Sequence, residues 1–184
     1  MRRAVSLVKR KKWLFIAVFF LLILLWSLGI SMKAAFFITA LTLTAALSTY
    51  YRVYMKFTLG FETVTLATVL TTVVYGPFVG IAVGLVSSFA AEFIPQLIDP
   101  SSFFWILSYI PAALAVAFLH SLGVPLFWLG MAATLIQNAI AEPIRLFSGD
   151  TLLRGMGVFS VTGSFISNLI LFGVVAQPLL SLML

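Results

Sequence analysis

Apolar and polar positions fall in long blocks along this chain, not in the short periods of a water-soluble protein. Apolar runs cover residues 13–31, 34–51, 61–75, 78–93, 103–120, 126–144 and 158–184. Several approach the ~20 residues that carry a helix across the hydrocarbon of a bilayer. The breaks are short: Lys33, Gly76-Pro77, Asp99-Pro100-Ser101-Ser102, Gly123-Val124-Pro125 and a polar segment over 145–157. Backbone in lipid must pair its own polar groups, so spans are helices or a closed barrel. These runs lack the alternation of barrel strands. The pattern therefore predicts an all-α polytopic transmembrane bundle of six or seven spans. It forms one domain over 13–184, preceded by a basic segment over 1–12. The first run is longer than the roughly 7–15-residue apolar core of a cleaved signal, and it reads as a retained span.

Composition narrows the class further. The chain has 184 residues, of which 62% are hydrophobic and 9% charged, with a mean hydropathy of +1.19. A soluble domain carries about 25% charged residues. A secreted or cytosolic globule, a disordered chain and a nucleic-acid-binding domain are all excluded. The net charge of +6 does not revive the last, because Arg2, Arg3, Lys9, Arg10, Lys11 and Lys12 form a juxtamembrane basic run. Absence of cysteine removes disulfides and thiolate chemistry, and a single histidine argues against a zinc centre. No cofactor is expected.

Threading seven spans sorts the loops into two sets. The N-terminus and the segments 52–60, 94–102 and 145–157 hold every basic residue except Lys33. The acids Glu62, Glu92, Asp99, Glu142 and Asp150 lie in or beside the same set. The positive-inside rule makes that side cytoplasmic, but acids contribute little to orientation. A polar vestibule at one membrane face accounts for them. Its expected lining is Arg52, Lys56, Glu62, Glu92, Asp99, Glu142, Arg145 and Arg154.

Spacing then singles out particular residues. Gly76, Gly80 and Gly84 repeat every four positions, a stripe continued by Ser88 and Glu92. Such a stripe makes a groove for close helix packing, with Glu92 either a site residue or a snorkelling interfacial acid. Thr65, Thr68 and Thr72 share a face one turn beyond Glu62. They line a polar path or satisfy carbonyls of their own helix. Asn138 and Glu142 are four apart, and Glu142 and Arg145 three apart, so the latter form an internal ion pair or meet a ligand. Pro143 interrupts this helix. Ser160, Ser164 and Asn168 make another small polar stripe, read as packing.

The stretch from Arg52-Val-Tyr-Met-Lys56 through Gly60-Phe-Glu62-Thr-Val-Thr to Gly76-Pro77-Phe-Val-Gly80-Ile-Ala-Val-Gly84 resembles the substrate-binding S components of energy-coupling factor transporters. The resemblance implies a membrane bundle whose loop after an early helix, with nearby helix ends, encloses a water-soluble vitamin or related micronutrient. It also implies a separate transmembrane subunit and two ATPases as partners. The chain departs from that family in two respects. Ala35, Ala40 and Ala45 are five apart, where the family's docking motif has alanines four apart. The positive-inside count also turns 52–60 inward, whereas the family's ligand loops face outward. The chain is also similar in size and helix pattern to the bacterial rod-shape membrane proteins, which keeps a scaffold role open.

No phosphate loop, nucleophile elbow, metalloprotease or kinase signature occurs, and the chain is not expected to be an enzyme. The expected function is that of a multi-pass cell-membrane transport protein binding a small water-soluble solute, with lipids and an energy-coupling module as partners. Alternatives are a non-transport scaffold and an enzyme acting on lipid at the charged face. Arg52 and Lys56, with no acid three or four residues away, are expected to meet an anionic group of the solute. Glu62 is expected to meet a donor group, with Thr65 and Thr68 deeper in, and Glu92, Asn138, Glu142 and Arg145 complete the candidate site.

Overall fold

The computed structural model describes residues 31–55, 60–94, 100–147 and 150–184, and all regular structure among them is helical. The helices are α1 (Met32–Ser48), α2 (Arg52–Met55), α3 (Val64–Tyr75), α4 (Pro77–Phe93), α5 (Pro100–Leu107), α6 (Tyr109–Ser121), α7 (Leu126–Ala141), α8 (Pro143–Leu146) and α9 (Thr151–Ile170). A π-helical turn, Leu171–Val175, carries α9 into α10 (Ala176–Met183).

Three stretches are long and apolar enough to cross a membrane: Met32–Met55, Ser102–Ser121 and Arg154–Met183, of 24, 20 and 30 residues. Helices α3, α4 and α7 are apolar but have only 12, 17 and 16 residues. At 1.5 Å per residue they rise about 18–26 Å, short of the ~30 Å hydrocarbon layer. The chain is thus an all-helical protein of membrane character, and among the described residues three helices rather than six or seven have full spanning length. Residues 13–30 of the expected first span lie outside the described residues.

Contacts along the chain divide it into residues 1–40 and residues 41–184. Of the first unit, the described part is the beginning of α1. In the second unit α3 is innermost. Every residue from Val64 to Thr72 is buried, and the helix packs against α4, α6, α7 and α10. Its threonines survive burial because Thr68, Thr71 and Thr72 donate to the carbonyls of Val64, Ala67 and Thr68, one turn back, at 2.9, 2.7 and 2.7 Å. The same side chains fill the glycine groove of α4. A Cβ on Gly80 would collide with Thr72 Oγ1, and one on Gly84 would lie 2.9 Å from both Thr68 Oγ1 and Tyr109 Cβ. Gly80 and Gly84 are therefore packing residues, as their spacing predicts.

Gly76 needs correcting. A Cβ there meets nothing within 4 Å. Its role is conformational: at φ 93°, ψ 168° it reverses the chain between α3 and α4, and Pro77 opens α4 at a position where no amide hydrogen is missed. Outside, the second unit is apolar, with Phe78, Phe89, Phe118, Trp128 and Phe159 exposed; inside, Thr71, Ser87, Thr134 and Asn168 are wholly buried. Apolar outside and polar inside suits a hydrocarbon solvent, where small polar residues hold helices together.

Candidate functional site: a buried polar chamber

Charged side chains from separated segments converge at the helix ends of the second unit. Arg52 opens the single turn α2, just after α1, and is 6% exposed. Thr49 ties this corner to α4 by donating to the carbonyl of Ala91 at 3.0 Å. Glu92, at the end of the buried stripe of α4, pairs with Arg52 through Nη1 and Oε1. Its other oxygen accepts from Ser102 Oγ at 2.7 Å. Glu92 is 3% exposed, so it does not snorkel.

Glu62 sits in the loop before α3, outside the helical segments. Gly60 makes the loop's position possible. At φ 72° it lies so close to α9 that a Cβ would collide with the Ser160 carbonyl oxygen and the Ser164 amide nitrogen. The Thr63 amide donates to Ser48 Oγ at 3.1 Å, and Glu62 is thereby turned inward. Its Oε1 accepts from Tyr109 OH at 3.2 Å. Burial raises its pKa from the ordinary 4.5 to about 8, against the lowering effects of the Tyr109 hydrogen bond and the Arg52 charge; the charges of Glu142 and Glu92 add to the rise. At neutral pH Glu62 is mainly the uncharged acid.

The third acid follows from Pro143. Helix α7 stops at Ala141, and α8 restarts with Pro143 at its first turn. Glu142, at the break, accepts from Ser160 Oγ of α9 at 2.7 Å and from Arg145 Nη1 at 3.4 Å. Asn138, one turn earlier, donates from Nδ2 to the Thr134 carbonyl at 2.8 Å and to Ser164 Oγ at 3.2 Å.

These groups surround one cavity of about 20 Å³, lined by Arg52, Glu62, Glu92, Gln137, Asn138, Glu142, Arg145, Ser160 and Ser164, with Tyr51, Phe61 and Trp105 as aromatic wall. That is room for roughly one water molecule. Among the described residues no group of histidine, cysteine and carboxylate side chains could hold a metal ion. Comparison with known proteins gives no match. No family fits the chain, and no curated protein or solved structure is significantly similar to it.

Of the residues expected from sequence, Arg52, Glu62, Glu92, Asn138, Glu142 and Arg145 share this chamber. Lys56 and Asp99 lie outside the described residues. Arg154 is exposed and does not line the chamber. Thr65 and Thr68 are buried in α3 and do not line it either; Thr68 serves its own helix and the Gly84 contact. Arg52 requires the largest correction. Expected to be unpaired, it has its acid 40 residues away. Sequence reasoning passed over Tyr109, Ser102 and Gln137. Only Gln137, a polar residue beside Asn138 on an apolar helix, carried a signal.

Proposed function

We propose that this protein is a membrane transport protein that binds a small water-soluble solute in the polar chamber. The observation that carries the reading is the chamber itself. Five ionisable side chains surround a cavity inside a molecule whose exterior is apolar. Burying each costs about several kcal/mol before pairing, and ionisable groups in the interior of a membrane protein mark solute paths by default. The finer reading, a substrate-binding subunit of an energy-coupling factor transporter, rests on the resemblance over Arg52 to Gly84. It places the protein in the cell membrane as a multi-pass subunit and requires an energy-coupling transmembrane partner with ATPases. A water-sized cavity admits only a head group; a whole vitamin requires the loop bearing Gly60 and Glu62 to lift from α9.

One observation favours a second reading. Arg52–Glu92 and Arg145–Glu142 are internally paired, as they would be in a scaffold whose polar cluster merely specifies helix order. A thermal-shift screen of vitamins, amino acids and amines on the purified chain in detergent separates the two. A solute at a hundred times its Kd stabilises the folded state by about 2.7 kcal/mol. If no polar solute stabilises the protein, the transport reading fails and the scaffold stands.

A further inference from the structure

The chamber's charges balance only while Glu62 keeps its proton. Among the described residues its lining holds the carboxyls of Glu62, Glu92 and Glu142 but only the guanidiniums of Arg52 and Arg145. Each arginine is in an ion pair, with Glu92 and Glu142 respectively. Glu62 is left with a hydrogen bond from a neutral phenol. Buried this deeply, Glu62 either keeps its proton or takes on a further positive charge when ionised.

A second feature points to what joins it. Gln137 is 2% exposed and lines the cavity, and its Oε1 accepts no hydrogen bond. Glu62, once its proton leaves, and Gln137 offer acceptors to the same cavity. Part of the lining is aromatic, with Tyr51, Phe61 and Trp105, and aromatic rings are residues on which a cation can rest. The volume of about 20 Å³ suits a group the size of a water molecule. We infer that the chamber takes the protonated amine head of a monocationic solute, held by Glu62 and Gln137 as N–H acceptors. A proton occupies Glu62 when the cation does not.

This rests on the solute-binding reading and gives it a substrate class. Cation and proton compete for one carboxylate, so binding the first releases the second. The charged and titratable groups around Glu62 are Arg52, Glu92, Glu142 and Tyr109, with Arg145 also lining the cavity. Since Glu62 holds its proton to about pH 8, cation affinity rises about tenfold per pH unit below that value and levels above it.

The test uses the full chain in detergent micelles and methylammonium as probe, with potassium, tetramethylammonium and acetate for comparison. Calorimetry in buffers of different ionisation enthalpy counts protons. Methylammonium should bind with release of about one proton at pH 6.5, by the same linkage. Potassium and tetramethylammonium, which lack N–H donors, should bind at least about tenfold more weakly. Glu62→Gln, which still offers Tyr109 an acceptor, should lose methylammonium affinity by more than about tenfold and release no proton. Because the wild-type pH profile needs no variant, poor folding of Glu62→Gln leaves the inference testable. Methylammonium binding that is flat with pH, or equal for tetramethylammonium, overturns it. A screen that finds anionic solutes bound instead overturns it while leaving solute binding intact. Absence of binding by every solute overturns both.

Discussion

Gly60 sets the position of Glu62, and Gly60→Ala measures how firmly. The residue's φ of 72° lies in the left-handed region, which costs an L-residue about 1–2 kcal/mol. The new methyl would also meet backbone. The Ser160 carbonyl oxygen and Ser164 amide nitrogen stand in its way, and the Gly163 carbonyl carbon lies 2.8 Å off. A helix backbone cannot rotate aside as a side chain does, so an overpacking cost of about 1–3 kcal/mol is added. The expected destabilisation is about 2–5 kcal/mol, a large share of the ~5–15 kcal/mol that holds a typical domain. Two other glycines calibrate it. Gly76→Ala meets open space at φ 93° and should cost only the strain of its backbone region, about 1–3 kcal/mol. Gly155, in α9, has open space and no positive φ, so Gly155→Ala should be neutral or stabilise by up to about 1 kcal/mol. Unfolding the purified chain in mixed micelles by titrating dodecyl sulfate, followed by circular dichroism, ranks the variants. If Gly60→Ala unfolds at the same detergent fraction as Gly155→Ala, the loop does not rest on α9 as described and the position of Glu62 has another cause.

Three further outcomes are expected. Arg52→Met should destabilise by about 3–5 kcal/mol because it strands Glu92, while the double variant Arg52→Met/Glu92→Met should recover much of the loss; additive single effects in a double-mutant cycle would remove the ion pair from the account. Because the folded-state pKa of Glu62 is raised, its contribution to stability is complete below about pH 4.5 and lost as pH climbs through about 8. Unfolding curves from pH 5 to 9, read as roughly that titration window, should fall less steeply in Glu62→Gln; equal slopes would show that Glu62 titrates normally. Gly130→Ala should cost about 1–3 kcal/mol, since a Cβ there would collide with the Phe172 ring of the π-helical turn. Phe172→Leu in the same chain should restore part of that loss, and a double variant no better than the sum of its parts would contradict the contact.

Local order was legible without the fold. Blocks of apolar residues dictate helices in lipid because a backbone there must satisfy itself, and the breaks at Gly76-Pro77 and Pro143 mark where it turns. Four-residue spacing puts Gly80, Gly84, Ser88 and Glu92 on one face, and three-residue spacing lets Arg145 reach Glu142. Helix length was less legible, since hydropathy counts apolar residues and not helical rise, and α3 is only 12 residues long.

Tertiary structure decided which faces meet, and with them the chemistry. Arg52 finds Glu92 across 40 residues, and Tyr109 finds Glu62 across 47. Nothing in either local sequence names the partner. Thr68 was open both to its own helix and to a polar path until α4 arrived with Gly84 opposite. Periodicity determines the direction in which a side chain leaves its helix. Which charge waits there depends on the helix packed alongside, and so on contacts between segments that are distant in sequence.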